Sequence, residues 1–271
     1  MVSCTVCMIA KNEGPYLLEW VAYYRSLGFS KIVVYENNST DRSAVILRKL
    51  AARKYIEHRT WKLGKYESPQ ITAYEDMVAR AETDWLLFVD CDEFLVMNKG
   101  SLSSMLEYIH PQADIGAIGI NWRVFGSSSN LVGDSRPVIE RFVRASEANF
   151  EANKHLKSFL RVGSVREAID MHLSDVKGRV VFADGSPLGL ESRGRASEIK
   201  FDVAQVNHYF GKTPEEYAIK MLRGQGGAGE NNHLKYWYNE ELFHYHDRNE
   251  IEDLGALAHL DNVRTFIREN A

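Results

Sequence analysis

The chain has 271 residues, of which 45% are hydrophobic and 26% charged, a composition that is ordinary for a globular protein. It carries 33 Lys and Arg against 37 Asp and Glu, a formal net charge of −4, which excludes a generally basic nucleic-acid binder and predicts no nucleic-acid partner. No run of 18 apolar residues predicts a membrane span, and peripheral contact with a membrane surface stays open.

The cysteines bear on the cellular compartment. The chain has three cysteines, Cys4, Cys7 and Cys91. Three are too few for a disulfide framework, and an odd number fits a reducing compartment. The N-terminus lacks the features of a signal peptide, so we predict a cytoplasmic protein. Cys4 and Cys7 form a C-x-x-C inside an apolar run, whereas a redox motif of this kind opens a helix and a zinc site needs a second pair.

The first 125 residues alternate strand and helix patterns. Their order predicts an α/β fold with a mainly parallel central sheet. Strands are predicted at 2–10, 31–36, 55–61, 85–90 and 115–124. Helices are predicted after Pro15, after the cap candidates 39–41, at 71–81 and after Ser101.

The alternation weakens after Phe125. Residues 126–271 are rich in aromatic residues and histidine, and they predict an irregular α+β half. We expect 1–125 and 126–271 to be two halves of one domain rather than two independent domains.

An acidic cluster follows the predicted strand at 85–90. Asp90, Asp92 and Glu93 are three acids in four residues, and their mutual repulsion calls for a cation nearby. Carboxylate oxygens suit Mg²⁺ or Mn²⁺, which also bind diphosphates. The alternative is a solvated acidic turn.

Two more polar clusters follow the first and second strands, at 11–14 and 36–41. The carboxyl ends of parallel strands meet at one edge of a sheet, where α/β proteins bind ligands. We therefore expect all three clusters in one crevice. Residues 39–41 also suit a helix cap, and the two roles are compatible.

Two segments resemble a known family: MIAKNEGPYLLEWVAYYRSLGFSKIVVYENNSTDRS (8–43) and LLFVDCDEFL (86–95). They are similar to glycosyltransferase family 2, in the branch close to glycosyltransferase family 92. NWRVFGSSS (121–129) and VNHYFGKTPEEY (206–217) extend the similarity more thinly. The resemblance implies a GT-A-like fold, a nucleotide-sugar donor and a D-x-D metal site.

The resemblance also implies roles for particular residues. Glu36 matches the acid that contacts the uracil or ribose of a donor, which implies a UDP-linked sugar. Asp90 matches the first D-x-D carboxylate, a ribose or metal contact, and Asp92 matches the metal ligand; Asp90, Asp92 and His208 are thus the predicted metal residues. His208 matches a downstream histidine that completes a Mn²⁺ or Mg²⁺ site in several GT-A enzymes, while a hydrogen-bonded core histidine is the alternative.

The remaining site residues are predicted from their chemistry. A departing diphosphate needs cationic groups around it, and the basic residues available in the second half are Lys157, Arg161, Arg166, Lys212, Lys220 and Arg223. The full set predicted to bind the donor is Lys11, Glu13, Glu36, Asn38, Asp41, Asp90, Lys157 and Arg223. The glycine-rich segment 224–230 is a candidate lid or a plain loop.

An inverting transfer also needs a general base that deprotonates the acceptor hydroxyl. Glu140 and Asp170 are the predicted catalytic residues, with Glu167 and His172 as open alternatives.

Together these features predict a metal-dependent glycosyltransferase that inverts the anomeric centre. It would move a sugar from a nucleoside diphosphate to a hydroxyl acceptor such as a glycan. A nucleotidyltransferase is the first alternative, although a single lysine in the loop after the first strand argues against its phosphate loop. A non-catalytic nucleotide- or carbohydrate-binding module is the second.

Overall fold

The computed structural model of the chain describes residues 1–62, 68–166, 169–223 and 239–271. The helices are α1 (Leu17–Ser26), α2 (Ser43–Ala52), α3 (Pro69–Ala79), α4 (Leu102–Ile109), α5 (Val138–Arg141), α6 (Pro214–Arg223), α7 (Glu240–His246) and α8 (Leu260–Asn270). The strands are β1 (Cys4–Ala10), β2 (Lys31–Glu36), β3 (Glu57–Thr60), β4 (Trp85–Phe88), β5 (Glu93–Met97), β6 (Ile115–Val124), β7 (Arg144–Ala145), β8 (Leu156–Arg161), β9 (Arg179–Phe182), β10 (Leu190–Ser192), β11 (Arg195–Ala196), β12 (Ala204–His208) and β13 (Ile251–Glu252).

A nine-stranded mixed sheet, counted over the described residues, forms the centre of the molecule. Its order is β3-β2-β1-β4-β8-β6-β12-β5, and β9 pairs with β6. The first four strands are parallel, β8 is antiparallel to both of its neighbours, β12 is parallel to β6, and β5 is antiparallel to β12. The predicted α/β class with a mainly parallel sheet is confirmed.

The two predicted halves of the chain share this sheet. β8 lies between β4 and β6, and β12 lies between β6 and β5. Strands from after residue 125 are therefore interleaved with strands from before it. One hydrogen-bonded sheet crosses the expected boundary.

Side chains of β1 alternate between two apolar layers. Val6 and Met8 belong to the larger core, which also contains Trp20 of α1, whereas Cys7 packs in a second core with Tyr74 of α3. Cys4 belongs to the first core, so Cys4 and Cys7 point to opposite faces of the strand. Both are buried free thiols, and this geometry rules out a shared zinc ion or a disulfide between them.

Local sequence signals account for several boundaries. Gly28 has φ +89°, the left-handed conformation that ends α1 and favours glycine. Ser101 and Ser104 form a reciprocal capping box at the start of α4. β5 was not expected, since the acidic cluster before it was interpreted as the end of β4 and not as a turn between two strands. No helix in the described ranges is long and apolar enough to cross a membrane.

Candidate functional site

The loops after β1 and β2 are joined by hydrogen bonds at the carboxyl edge of the sheet. The Thr40 N–H donates to Asn12 Oδ1 (2.7 Å), and the Gly14 N–H donates to Asp41 Oδ2 (2.9 Å). Asp41 Oδ1 also accepts the Ser43 N–H at the start of α2 (2.8 Å). Burial raises the pKa of Asp41, but these hydrogen bonds outweigh it and lower the pKa below its usual range. Asp41 therefore holds the two loops together.

The predicted donor residues of these loops lie close together. Glu36 is the last residue of β2; it is buried, and its Oε1 accepts the Ser39 N–H at 2.5 Å. Asn38 adopts a left-handed conformation with φ +51° in the same loop, while Lys11 and Glu13 lie in the loop after β1. Because Ala10 and Glu36 are register partners in adjacent parallel strands, both loops open onto the same edge.

The acidic cluster forms a tight turn between β4 and β5. The Asp90 N–H donates to Glu93 Oε2 (2.7 Å), and the Glu93 N–H donates to the Asp90 carbonyl (3.1 Å). Gln70 of α3 donates to Asp90 Oδ1 (3.0 Å), and the Trp20 indole donates to the Asp90 carbonyl (3.2 Å). Because β4 is parallel to β1, the third polar cluster lies at the same edge of the sheet as the other two.

Lys157 of β8 lies between two of the acids. Its Nζ is 2.9 Å from Asp90 Oδ2 and 3.0 Å from Glu93 Oε2, and the lysine side chain is fully buried. Burial alone would lower the pKa of Lys157, but the two carboxylates raise it above its usual range. Burial raises the pKa of Glu93, and Asp90 and Asp92 add to that rise against the opposing effect of Lys157.

Asp92 is paired with a different lysine. Its Oδ2 accepts a hydrogen bond from Lys220 Nζ of α6 at 2.7 Å, and its Oδ1 lies 3.9 Å from His208 Nε2. Burial acts to raise the pKa of Asp92, but the ammonium groups of Lys220 and Lys212 lower it far below its usual range. Burial lowers the pKa of His208 well below its usual value, so the imidazole is neutral.

The cation expected beside the acidic cluster is therefore supplied in part by the chain itself. Two ammonium groups offset the negative charge of the acids that they contact. They lie 67 and 128 residues further along the chain than those acids. Lys157 was predicted to bind the donor diphosphate, and here it contacts Asp90 instead. Lys220 was one of several basic candidates.

Asp92 and His208 are the pair predicted to hold a divalent cation. Their 3.9 Å separation is too long for a hydrogen bond, and it exceeds the roughly 3 Å between neighbouring ligands of an octahedral ion at about 2.1 Å, so the two side chains would have to move closer together to share one ion. An acid and a neutral imidazole suit Mn²⁺. Within the described ranges no group of three His, Cys, Asp or Glu side chains could hold a metal ion.

Trp122 of β6 lies beside His208 and His172. Its ring centroid is 4.1 Å from that of His208 and 5.2 Å from that of His172. The Nε1 of Trp122 and the Nδ1 of His208 are buried and have no hydrogen-bond partner among the described residues. Sequence analysis did not find Trp122, since a tryptophan in a buried strand is typical of any core.

The predicted general bases lie in different places. Asp170 Oδ1 accepts the His172 N–H (2.8 Å), and His172 Nδ1 lies 3.0 Å from the carbonyl oxygen of Leu156, the residue before Lys157. Glu140 Oε1 instead pairs with Arg264 of α8 at 2.8 Å, and within the described part of the chain it does not contact the acidic turn. Glu167, the side chain of Arg223 and the segment 224–230 lie outside the described residues.

His172 is held in one tautomer. Nδ1 faces a carbonyl oxygen and so carries the proton, which leaves the lone pair on Nε2. Burial lowers the pKa of His172, and the nearby Lys157 lowers it further. The loop that contains Asp170 thus presents a neutral imidazole near Lys157.

The site is an acidic turn at the carboxyl edge of an α/β sheet, balanced by the buried Lys157 and the partly buried Lys220. This arrangement suits an anionic ligand with a cation. Comparison with known proteins assigns the family. The sequence profile of glycosyltransferase family 92 matches residues 2–161, and the chain belongs to this family. Family membership confirms the glycosyltransferase prediction at the level of the family and agrees with the predicted GT-A-like class.

Curated relatives carry the same family name. A family 92 protein of Ricinus communis is 30% identical over 96 residues, which are 35% of this chain and 17% of that protein. A family 92 protein of Arabidopsis thaliana is 24% identical over 230 residues, 80% of this chain and 37% of that protein. The chain therefore matches well under half the length of these relatives.

Solved structures show a weaker likeness. S. aureus TarS 1–349 in complex with UDP-GlcNAc has a TM-score of 0.42 and 16% identity, covering 90% of this chain and 72% of that chain. Glucosyl-3-phosphoglycerate synthase from Mycobacterium tuberculosis, in complex with Mn²⁺, UDP and phosphoglyceric acid, has a TM-score of 0.39 and 14% identity, covering 67% and 68%. Likeness at this level transfers no ligand to this chain.

Proposed function

We propose that this protein transfers a sugar from a nucleoside diphosphate donor to a hydroxyl acceptor, with inversion at the anomeric carbon and a divalent cation bound. The observation that carries the proposal is the acidic turn of Asp90 and Asp92, paired with Lys157 and Lys220. A departing diphosphate carries negative charge that must be stabilised as it develops. Membership in glycosyltransferase family 92 supports the reaction class.

The donor would bind across the loops after β1 and β2. UDP is the first nucleotide to test, because Glu36 matches the acid that contacts uracil or ribose in related enzymes. Its buried carboxylate lies at the end of β2, beside the loop of Asn38. Lys11, Glu13 and Asp41 would shape or line the same pocket, and Arg223 at the end of α6 stays a proposed diphosphate contact.

The cation would be held by Asp92 and His208, and Asp90 would contact the donor or the cation. When bound, Mn²⁺ or Mg²⁺ supplies positive charge to the diphosphate as a Lewis acid. The neutral imidazole of His208 favours Mn²⁺ of the two.

The acceptor would enter from the part of the chain after residue 125. Of the two predicted carboxylates, Asp170 is the better placed to support a general base, because Glu140 is paired with Arg264 on α8. Asp170 fixes the backbone of His172, and the lone pair on His172 Nε2 is the proposed acceptor of the proton that leaves the acceptor hydroxyl. We further propose a reducing compartment such as the cytoplasm, in keeping with the buried free thiols Cys4 and Cys7.

The test is the release of nucleoside diphosphate from a panel of UDP- and GDP-sugars, with Mn²⁺ and with excess EDTA. We expect release from one donor, stimulated by acceptor glycans and abolished in Asp92→Asn. Full turnover in EDTA would remove the metal from the proposal. Donor binding without turnover, across a broad acceptor panel, would identify a binding module instead.

A further inference from the structure

Lys212 lies in the loop that follows β12, at the same edge of the sheet as the acidic turn. β12 is parallel to β6, and β8 is antiparallel to both β6 and β4, so the chain leaves β12 and β4 on the same side. The Tyr209 N–H, directly after β12, donates to the Asp92 carbonyl at 2.9 Å. The Nζ of Lys212 lies 4.4 Å from the centroid of the Tyr16 ring, just before α1. Its ammonium group therefore lies between the loops after β1 and β12.

The ammonium group is buried but has no hydrogen-bond acceptor among the residues that the structure describes. Lys212 is 7% exposed, and the contact that its Nζ makes is with the face of the Tyr16 ring. A lysine ammonium has three N–H donors, and a buried polar group without an acceptor costs stability because it has given up its water. Buried polar groups in this state are rare, and each calls for an explanation.

The carboxylates around Lys212 have nearer partners. Those close enough for its charge to affect their pKa are Asp92, Glu19 and Glu216. Burial acts to raise the pKa of all three, and the ammonium group acts against that rise. Glu216 forms a bidentate ion pair with Arg141 at 2.8 and 2.9 Å. Glu19 accepts two backbone N–H groups of α5 at 2.7 and 3.0 Å, and Asp92 accepts a hydrogen bond from α6 at 2.7 Å. Within the described ranges, the charge of Lys212 thus has no counter-ion of its own.

The backbone of Lys212 is also unfavourable for a lysine. Its φ of +53° lies in the left-handed region, which glycine adopts freely and residues with a β-carbon do not. The preceding residue, Gly211, packs against Phe243, where a β-carbon would lie 2.9 Å from two ring atoms. The loop therefore uses its glycine for close packing and places a lysine where the backbone favours a second glycine. Such departures from local preference concentrate at functional sites.

We propose that Lys212 is a phosphate-binding residue, whose ammonium group donates to a phosphate oxygen of the ligand at this edge of the sheet. The phosphate would come from the diphosphate of the donor or from a phosphorylated acceptor, and the inference rests on the proposed function for these two sources. A phosphate group brings both the oxygen acceptors and the negative charge that the buried ammonium group lacks, and charged hydrogen bonds are stronger than neutral ones. Binding would thus relieve an unfavourable state that the fold maintains in the ligand-free protein.

Calorimetric titration with pyrophosphate, UDP and uridine, in excess EDTA, tests the proposal. The wild type should bind pyrophosphate. In Lys212→Met, the affinity for pyrophosphate should fall by about tenfold to a hundredfold, the effect of losing a hydrogen bond to a charged group. A matching fall for UDP, with uridine unchanged, assigns the donor diphosphate to Lys212. A fall for pyrophosphate with UDP unchanged assigns a phosphate group on the acceptor.

Two further variants separate phosphate binding from a general effect of charge. Lys212→Arg keeps the charge and the N–H donors, and it should retain most of the pyrophosphate affinity. Lys31→Met is the matched control, since it also removes one ammonium group. Lys31 is the first residue of β2, at the opposite edge of the sheet, and its Nζ pairs with Glu57 at 2.7 Å. The affinities of this variant for all three probes should equal those of the wild type.

Thermal melts without ligand distinguish a binding role of Lys212 from a structural one. Removal of a buried ammonium group that has no acceptor should leave the melting temperature of Lys212→Met unchanged or higher. The proposal is overturned by a clear fall in that melting temperature, by a pyrophosphate affinity that Lys212→Met does not change, or by a wild type that does not bind pyrophosphate. If the wild type binds UDP no more tightly than uridine, the donor diphosphate of the proposed function fails, and the pyrophosphate titrations still decide the role of Lys212.

Discussion

Replacing Lys157 with methionine should destabilise the protein strongly. Methionine keeps an unbranched side chain of similar length in β8 but removes the ammonium group that contacts Asp90 and Glu93 at 2.9 and 3.0 Å. Breaking a buried ion pair from one side costs about 3–5 kcal/mol, because the remaining charge is left without a partner. The free energy of unfolding should fall by an amount in that range.

The two acids should contribute unequally to this loss. The Asp90 side chain is 37% exposed and can turn its charge to water, whereas Glu93 is fully buried and its Oε1 has no hydrogen-bond partner among the described residues. Glu93 must therefore bind a proton or stay charged in an apolar surrounding. Its folded-state pKa, already raised by burial, should rise further without Lys157.

Denaturant unfolding at pH 6 and pH 8 measures both effects. When folding raises the pKa of a carboxyl group, the free energy of unfolding of the protein falls as pH rises. The destabilisation by Lys157→Met should therefore be larger at pH 8 than at pH 6. Adding Glu93→Gln removes the stranded charge and should restore about 2 kcal/mol or more of the loss. Equal stability of Lys157→Met and wild type, or a loss that Glu93→Gln does not reduce, would refute this account of Lys157, Asp90 and Glu93.

Three further predictions concern other parts of the site and its support. Glu36→Ala should weaken UDP binding by about 1–3 kcal/mol, the scale of a hydrogen bond to a charged group; unchanged calorimetric affinity would remove Glu36 from the donor site. His208→Ala should lower both the Mn²⁺ affinity and the metal-free stability, the latter by about 2 kcal/mol, because it empties the space between Trp122 and Phe210. His208→Gln fills most of that space and should restore stability more than Mn²⁺ affinity. Recovery of both would contradict a ligand role for His208. Burial raises the pKa of Glu19 from 4.5 to about 7, so the free energy of unfolding of the wild type should fall by up to about 3 kcal/mol as pH rises from 4.5 to above 7. Denaturant unfolding at pH 5 and pH 8 should show a smaller pH dependence for Glu19→Gln. Equal pH dependence in both proteins would show that Glu19 is not the group responsible.

Much of the first half of the fold could be predicted from the sequence. The bounds of β2 and β6 agree with the prediction residue for residue, because each is an apolar run between clear turn or helix signals. The capped start of α4 was also found, since a serine capping box is a local signal. These features depend on neighbouring residues in the chain.

The strands after residue 125 were harder to place. The positions of β8 and β12 inside the sheet depend on pairing with strands far away in sequence, and short apolar runs do not specify their partners. The same limit applies to the site. Its acids were found at a strand end, but nothing near Asp92 in the sequence points to Lys220, which lies 128 residues away.

The interleaved sheet has a consequence for dissecting this protein into fragments. The family profile matches residues 2–161. Among the residues that the structure describes, β5 pairs only with β12, and β12 begins at residue 204. A fragment that ends at residue 161 would leave β5 without a hydrogen-bonded partner strand and would expose the carboxyl half of β6 to solvent. Unpaired strand edges promote aggregation. The smallest piece expected to fold thus runs through β12, well beyond the segment by which the family is recognised.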